Sequence, residues 1–125
     1  MIPGEFQYFA PTTVDEAVSL LQQHGEDAKL LGGGHSLLPA MKLRLTTPAV
    51  LIDVTKISDI KGVSVNGSVT VGGGATYHAV ASNDAVRSAC GVLADCVAQI
   101  GDTQVRNRGT IGGSLAHADP AADLP

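Results

Sequence analysis

Apolar residues recur with two different periods along the chain, and the change of period marks its organisation. In the first half, Phe6-Gln7-Tyr8-Phe9 is a short β-prone run closed by Pro11, which anchors the N-terminus on the core. Val14, Ala17, Val18 and Leu21 then fall at helical spacing behind a Thr13/Glu16 capping box, with Gly25 as the stop, and predict a helix over 13–24. Ala28-Lys29-Leu30-Leu31 reads as a buried strand running into Gly32-Gly33-Gly34-His35-Ser36. Helical propensity follows from Leu37 to Leu45, interrupted early by Pro39, and Ala49 to Val54 is another β-rich run. This alternation predicts a small parallel βαβ lobe over residues 1–57.

Beyond it, in 58–125, the period becomes two. Gly62 to Val65 and Ser68 to Val71 alternate around Asn66-Gly67, a dipeptide suited to a type I′ hairpin turn. Ala75 to Ala81 predicts a short helix capped by Thr76, and Val86 to Ile100 one longer helix. Gln104 to Asp123 reads as less structured, with a second glycine turn at Thr110-Ile111-Gly112-Gly113-Ser114 and a loop at Ala118-Asp119-Pro120. No closing strand or helix precedes Pro125, so a truncated chain is expected. The fold class expected is α+β, a small βαβ lobe followed by a partial second lobe of mixed or antiparallel character.

Composition narrows the function classes. In 125 residues, 44% hydrophobic and 16% charged places the chain among globular proteins. Eight Lys+Arg against 12 Asp+Glu, a net charge of −4, sets nucleic acid aside, because a polyphosphate partner needs clustered cations. No apolar run reaches the ~18 residues of a membrane span and the start lacks the order of a signal peptide, which predicts a cytoplasmic protein. Cys90 and Cys96 have neither redox nor zinc spacing and read as small core hydrophobes. Glycine is the outlier at 15 residues, most of them in three groups, 32–34, 72–74 and 109–113.

Those groups carry the candidate chemistry. Three glycines between a strand end and a helix start let backbone N–H groups approach an anion at the positive end of the helix dipole, and a diphosphate is the natural guest. A tight turn without a ligand is the alternative. The segment 110–114 offers a second such turn, whose exposed amides are expected to hold the same diphosphate, whereas Gly72-Gly73-Gly74 reads as the end of a hairpin strand, with a binding role as the alternative. His35 is a candidate hydrogen-bond donor to phosphate or ribityl oxygens, a covalent flavin attachment point, or a plain loop residue. Arg106 and Arg108 are candidates for phosphate or an acidic partner surface, or for solvated loop positions. Asp123 reads either as a hydroxyl-binding carboxylate or as the cap of a helix at Asp123-Leu124-Pro125. His24, His78 and His117 lack mutual ligand spacing, and no metal site is expected.

Gly-Gly-His-Ser at 33–36 and Thr-Ile-Gly-Gly-Ser at 110–114, with Met-Ile-Pro-Gly at 1–4, Leu37-Leu38-Pro39, Ala118-Asp119-Pro120 and Asp123, resemble the medium subunits of aerobic carbon monoxide dehydrogenases over essentially the whole chain. The resemblance implies a two-lobed PCMH-type FAD-binding domain of the molybdenum hydroxylase (xanthine oxidase) superfamily, with FAD held non-covalently. It implies that Gly32, Gly33, Gly34, His35, Ser36, Thr110, Ile111, Gly112, Gly113 and Ser114 contact the FAD diphosphate and neighbouring ribityl. Leu30, Leu31 and Leu37 then line the same groove, and Asp123 lies near ribityl or ribose hydroxyls. The implied partners are an iron–sulfur small subunit and a molybdopterin large subunit in a dimer of heterotrimers. Electrons pass from the clusters through FAD to a quinone or other acceptor, at the inner face of the membrane where that acceptor is a quinone. Position 32 is Gly where the family often has Ala, and 125 residues is less than half of such a subunit. Two further readings compete. A stand-alone flavin oxidase of the same fold bonds its flavin covalently to a histidine in Arg-x-Gly-Gly-His, but Leu31 stands at the Arg position; in a non-flavin binding module the glycines serve only as turns.

Overall fold

Three short parallel strands organise the first half of the chain in the computed structural model, which describes residues 2–123. They are β1 (Gln7–Phe9), β2 (Ala28–Leu31) and β3 (Val50–Asp53), in the order β1-β3-β2. β3 is flanked on both edges and buried along its whole length, which is why it reads as an unbroken apolar run ending in a single aspartate. Helix α1 (Val14–His24) connects the two outer strands. Thr13 Oγ1 accepts the Glu16 amide at 3.2 Å, and Gly25, at φ 56°, closes the helix with its N–H on Leu21 O. Ala17 is the position of α1 that is fully buried; Val14 and Val18 remain exposed, so the apolar stripe is wider than the face that packs. Helix α2 (Leu37–Lys42) is shorter than the run to Leu45 predicts, because Arg44 adopts φ 59° and turns the chain back. Pro39 falls in its first turn, where no intrahelical N–H is needed.

The C-terminal end of β3 carries a polar cluster. Asp53, 9% exposed, accepts the Tyr8 hydroxyl on Oδ2. Its Oδ1 takes the Thr55 amide at 2.8 Å and the Thr55 hydroxyl at 2.6 Å. Burial pushes the carboxyl pKa up, but the hydrogen bonds from Thr55 and Tyr8 and the charge of Lys56 outweigh it, and the group is held below the ordinary carboxylate range. On the partner side, the bond to Asp53, then burial, raises the pKa of the Tyr8 phenol.

The chain divides into two units, Met1–Asp59 and Ile60–Pro125. The second begins with the hairpin of β4 (Val63–Val65) and β5 (Val69–Val71), paired antiparallel with Val65 opposite Val69. The loop is therefore three residues long. Gly67 has a positive φ and Asn66 does not, so the expected type I′ turn, which needs both, does not form. The rest is helical: α3 (Tyr77–Ala81), α4 (Asp84–Ala89), α5 (Gly91–Ala98), α6 (Thr103–Arg108) and α7 (Ile111–His117). The single helix expected over 86–100 is two. Asn83 caps α4 from Val86 N at 3.0 Å, and Cys90 at φ −147°, ψ 74° breaks the path before Gly91. Val86, Ala94 and Val97 still converge with Ala75, Tyr77, Val80 and Ile100 on one core. Cys90 and Cys96 lie outside it, exposed, and are not the core residues the sequence suggests. The stretch read as less structured holds α6 and α7, whose N-caps Asp102 and Thr110 each accept the amide three residues on.

Because Asp53 has a lower pKa folded than unfolded, its contribution to stability is complete above about pH 4 and disappears as pH falls through the native value. Asp53→Asn in the full-length protein is expected to cost about 1–3 kcal/mol in urea unfolding at pH 7. The deficit should shrink towards pH 3; an equal deficit at both pH values would show that the charge plays no part.

Candidate functional site

The first glycine segment connects the end of β2 to α2. Leu31 stands opposite Asp53 in the sheet, and Val54 N donates to Leu31 O at 3.0 Å, so the last strand residue before the turn is fixed. Gly34 takes φ 81°, a conformation that favours glycine, and its carbonyl accepts Leu38 N at 3.1 Å. A Cβ there would lie 2.9 Å from Leu38 Cδ1. Among the described residues, the amides of Gly33, Gly34, His35 and Ser36 have no acceptor, and the Ser36 side chain makes no capping bond. Four successive donors without acceptors, three residues without side chains and a hydroxyl make a surface that suits the oxygens of a diphosphate. His35 and Ser36 are exposed, Leu31 and Leu37 half-buried, and Leu30 points its side chain outward at 47% exposure.

Thr110–Ser114 is built differently. It is the N-terminal turn of α7 rather than a glycine loop, and its amides from Ile111 to Ser114 are all engaged. Ile111 N donates to Ala75 O at 3.2 Å, Gly112 N to Gly73 O at 2.9 Å, Gly113 N to Thr110 Oγ1 at 3.0 Å and Ser114 N to Thr110 O at 3.2 Å. The expectation of exposed amides here is corrected: the segment lies against its own chain, through the Thr76–Thr110 bridge and the Tyr77 N to Gly109 O bond. Its glycines answer to packing. A Cβ on Gly112 would come within 2.6 Å of Gly73 O, and one on Gly113 within 2.8 Å of Thr110 Oγ1. A Cβ on Gly109 would collide with the Tyr77 ring. What the segment presents is the half-buried Ser114 hydroxyl, bonded to the phenol of Tyr77.

The remaining candidates separate. Asp123 Oδ2 accepts Gly101 N at 3.1 Å, which joins the end of the described chain to the turn before α6; the alternative cap at Leu124-Pro125 lies outside the described residues, as does Met1 of the N-terminal motif. Arg106 donates to Ile100 O at 3.0 Å and reaches Gly101 O and Thr103 Oγ1, so its guanidinium ties the turn between α5 and α6. Gly72 and Gly74 back onto Ile60, with Gly74 N on Ile60 O at 2.8 Å. Sequence reasoning missed Tyr77 and Gly73. The available signal for Tyr77 was its standing as the sole aromatic residue after Phe9.

Residues 4–125 match the family model described as the FAD binding domain in molybdopterin dehydrogenase. The chain is 50% identical to the carbon monoxide dehydrogenase medium chain of Hydrogenophaga pseudoflava and 43% identical to that of Afipia carboxidovorans. Each alignment covers 100% of this chain and 44% of the relative. The solved structure of carbon monoxide dehydrogenase from Hydrogenophaga pseudoflava superposes with a TM-score of 0.96 at 50% identity, over 100% of this chain and 44% of that one. The chain thus spans less than half the length of the curated relatives it matches, and it belongs to the family of FAD-binding domains in molybdopterin dehydrogenases.

Proposed function

We propose that this chain holds FAD non-covalently and forms part of the electron-transferring medium subunit of a molybdenum hydroxylase of the carbon monoxide dehydrogenase type. The observation that carries the reading is the run of amides without acceptors at 33–36, in a chain of this family. In this reading residues 1–57 and 58–125 are the two lobes of the FAD-binding domain, the second incomplete. Gly32, Gly33 and Gly34 leave room for the diphosphate, and the amides of Gly33 to Ser36, with the hydroxyl of Ser36 and the ring of His35, donate to it. Leu30, Leu31 and Leu37 give the neighbouring apolar surface.

From the second lobe, Thr110 and Ile111 start the helix that carries Gly112, Gly113 and Ser114. With the amides engaged, Gly112 and Gly113 contribute by their lack of bulk and Ser114 by its hydroxyl. Asp123, whose carboxylate has capacity beyond its bond from Gly101 N, accepts a ribityl or ribose hydroxyl. Bound FAD supplies a carrier able to exchange electrons singly or in pairs. Its redox partners in this reading are the iron–sulfur clusters of a small subunit, fed by the molybdopterin of a large subunit, in a dimer of heterotrimers. The electrons leave to a quinone or another acceptor, from the cytoplasm or the inner face of the membrane. Among the described residues no helix is long and apolar enough to cross a membrane.

Acid precipitation of the full-length protein should release FAD into the supernatant at about one per chain; flavin remaining on the pellet would favour covalent attachment at His35, and none in either fraction would refute the reading. Two glycine variants separate cradle from packing. Gly33→Val, at a position without positive φ, should empty the flavin site with little change in thermal stability. Gly112→Ala should lower stability by about 1–3 kcal/mol, because the new methyl meets the Gly73 carbonyl. Full flavin content in Gly33→Val would count against the cradle.

A further inference from the structure

Tyr77 starts α3 with its side chain in the core of the second unit, 7% exposed among Val80, Val86, Ala94 and Val97. Its hydroxyl has one partner among the described residues, Ser114 Oγ, and the reverse holds for Ser114. A buried phenol that donates to nothing leaves an unsatisfied donor, and the Ser114 oxygen is the acceptor within reach. Either hydroxyl can donate in this pair; burial of the Tyr77 ring favours the sense in which Tyr77 O–H donates and Ser114 Oγ accepts. Ser114 is half-buried, so its own proton is then left for a partner outside the core. A bond accepted from Tyr77 occupies one lone pair of the Ser114 oxygen and leaves its proton free to donate outward. Phosphate oxygens only accept, so a proton oriented in this way suits an anionic or acceptor-only group.

We infer that Tyr77 is a positioning residue for the flavin nucleotide: by donating to Ser114 Oγ it turns the Ser114 proton towards a diphosphate oxygen of FAD. This deepens the reading above and rests on it. The ring also lies where a Cβ on Gly109 would be, and Tyr77 N donates to Gly109 O at 3.0 Å, so one residue fixes both the entry to α7 and the hydroxyl on its first turn.

The test is a double-mutant cycle in the full-length protein, stripped of flavin and titrated with FAD, with thermal unfolding measured alongside. Tyr77→Phe keeps the ring in the core and removes only the donor, and Ser114→Ala removes the hydroxyl. Each is expected to weaken FAD binding about tenfold, the size of one hydrogen bond to a charged group. The double variant should be no weaker than Ser114→Ala alone. A purely structural role for Tyr77 would instead weaken binding equally whether or not Ser114 is present, and that result overturns the inference. Undiminished affinity in Tyr77→Phe with a loss in Ser114→Ala also overturns it, while leaving the proposed function intact. Unchanged affinity in both variants removes Ser114 from the site, and wild-type protein that takes up no FAD refutes the functional reading itself.

Discussion

A peptide N–H has one proton to give, and this constraint decides which parts of the two glycine-rich segments can meet a ligand. In 110–114 every amide from Ile111 to Ser114 already donates within the chain. In 33–36 none has an acceptor among the described residues. Unmatched backbone donors are rare inside folded proteins and persist where water or a ligand completes them. The same kind of sequence therefore does two jobs: at 32–36 glycine clears space beside donors, and at 112 and 113 it lets one backbone lie against another.

That close approach organises the second unit. Gly72 and Gly74 abut Ile60, Gly112 abuts Gly73, and Gly109 abuts the Tyr77 ring, so the strand end after β5 and the start of α7 run nearly in contact. The bond from Gly112 N to Gly73 O needs this absence of side chains, and that from Ile111 N to Ala75 O continues it. The third glycine group is thus more than an idle strand end. Its middle residue, Gly73, is the floor on which the first turn of α7 rests.

Local signals made much of this legible. The caps at Thr13, Thr76 and Gly25, the alternation of the hairpin and the apolar runs of β2 and β3 each act within a few residues, and the parallel lobe followed from them. The break at Cys90 was hidden for a physical reason: Val86, Ala94 and Val97, eight and eleven positions apart, would share a face even on an unbroken helix of about 3.6 residues per turn. The same holds for long-range chemistry. Asp53 meets Tyr8 across 45 positions and Ser114 meets Tyr77 across 37, separations at which no local pattern registers. At 110–114 the motif was visible in the sequence but the fate of its amides was not, because their acceptors are carbonyls that any residue type supplies.

The two segments also differ in how firmly their donor character is set. A backbone amide can only donate, so the turn at 33–36 needs its geometry held and nothing more; the Leu31 bond from Val54 N and the Gly34 carbonyl on Leu38 N hold its two ends. A serine hydroxyl is ambivalent, and a site that relies on one suits an anion better when another group donates to its oxygen and leaves its proton pointing outward. The Tyr77 phenol is such a group, since its ring is buried in the core and its hydroxyl has no other acceptor among the described residues. Where packing has already engaged the amides, a core tyrosine behind the helix converts a neutral hydroxyl into a directed donor, and the core of the second unit thereby bears directly on what its surface can recognise.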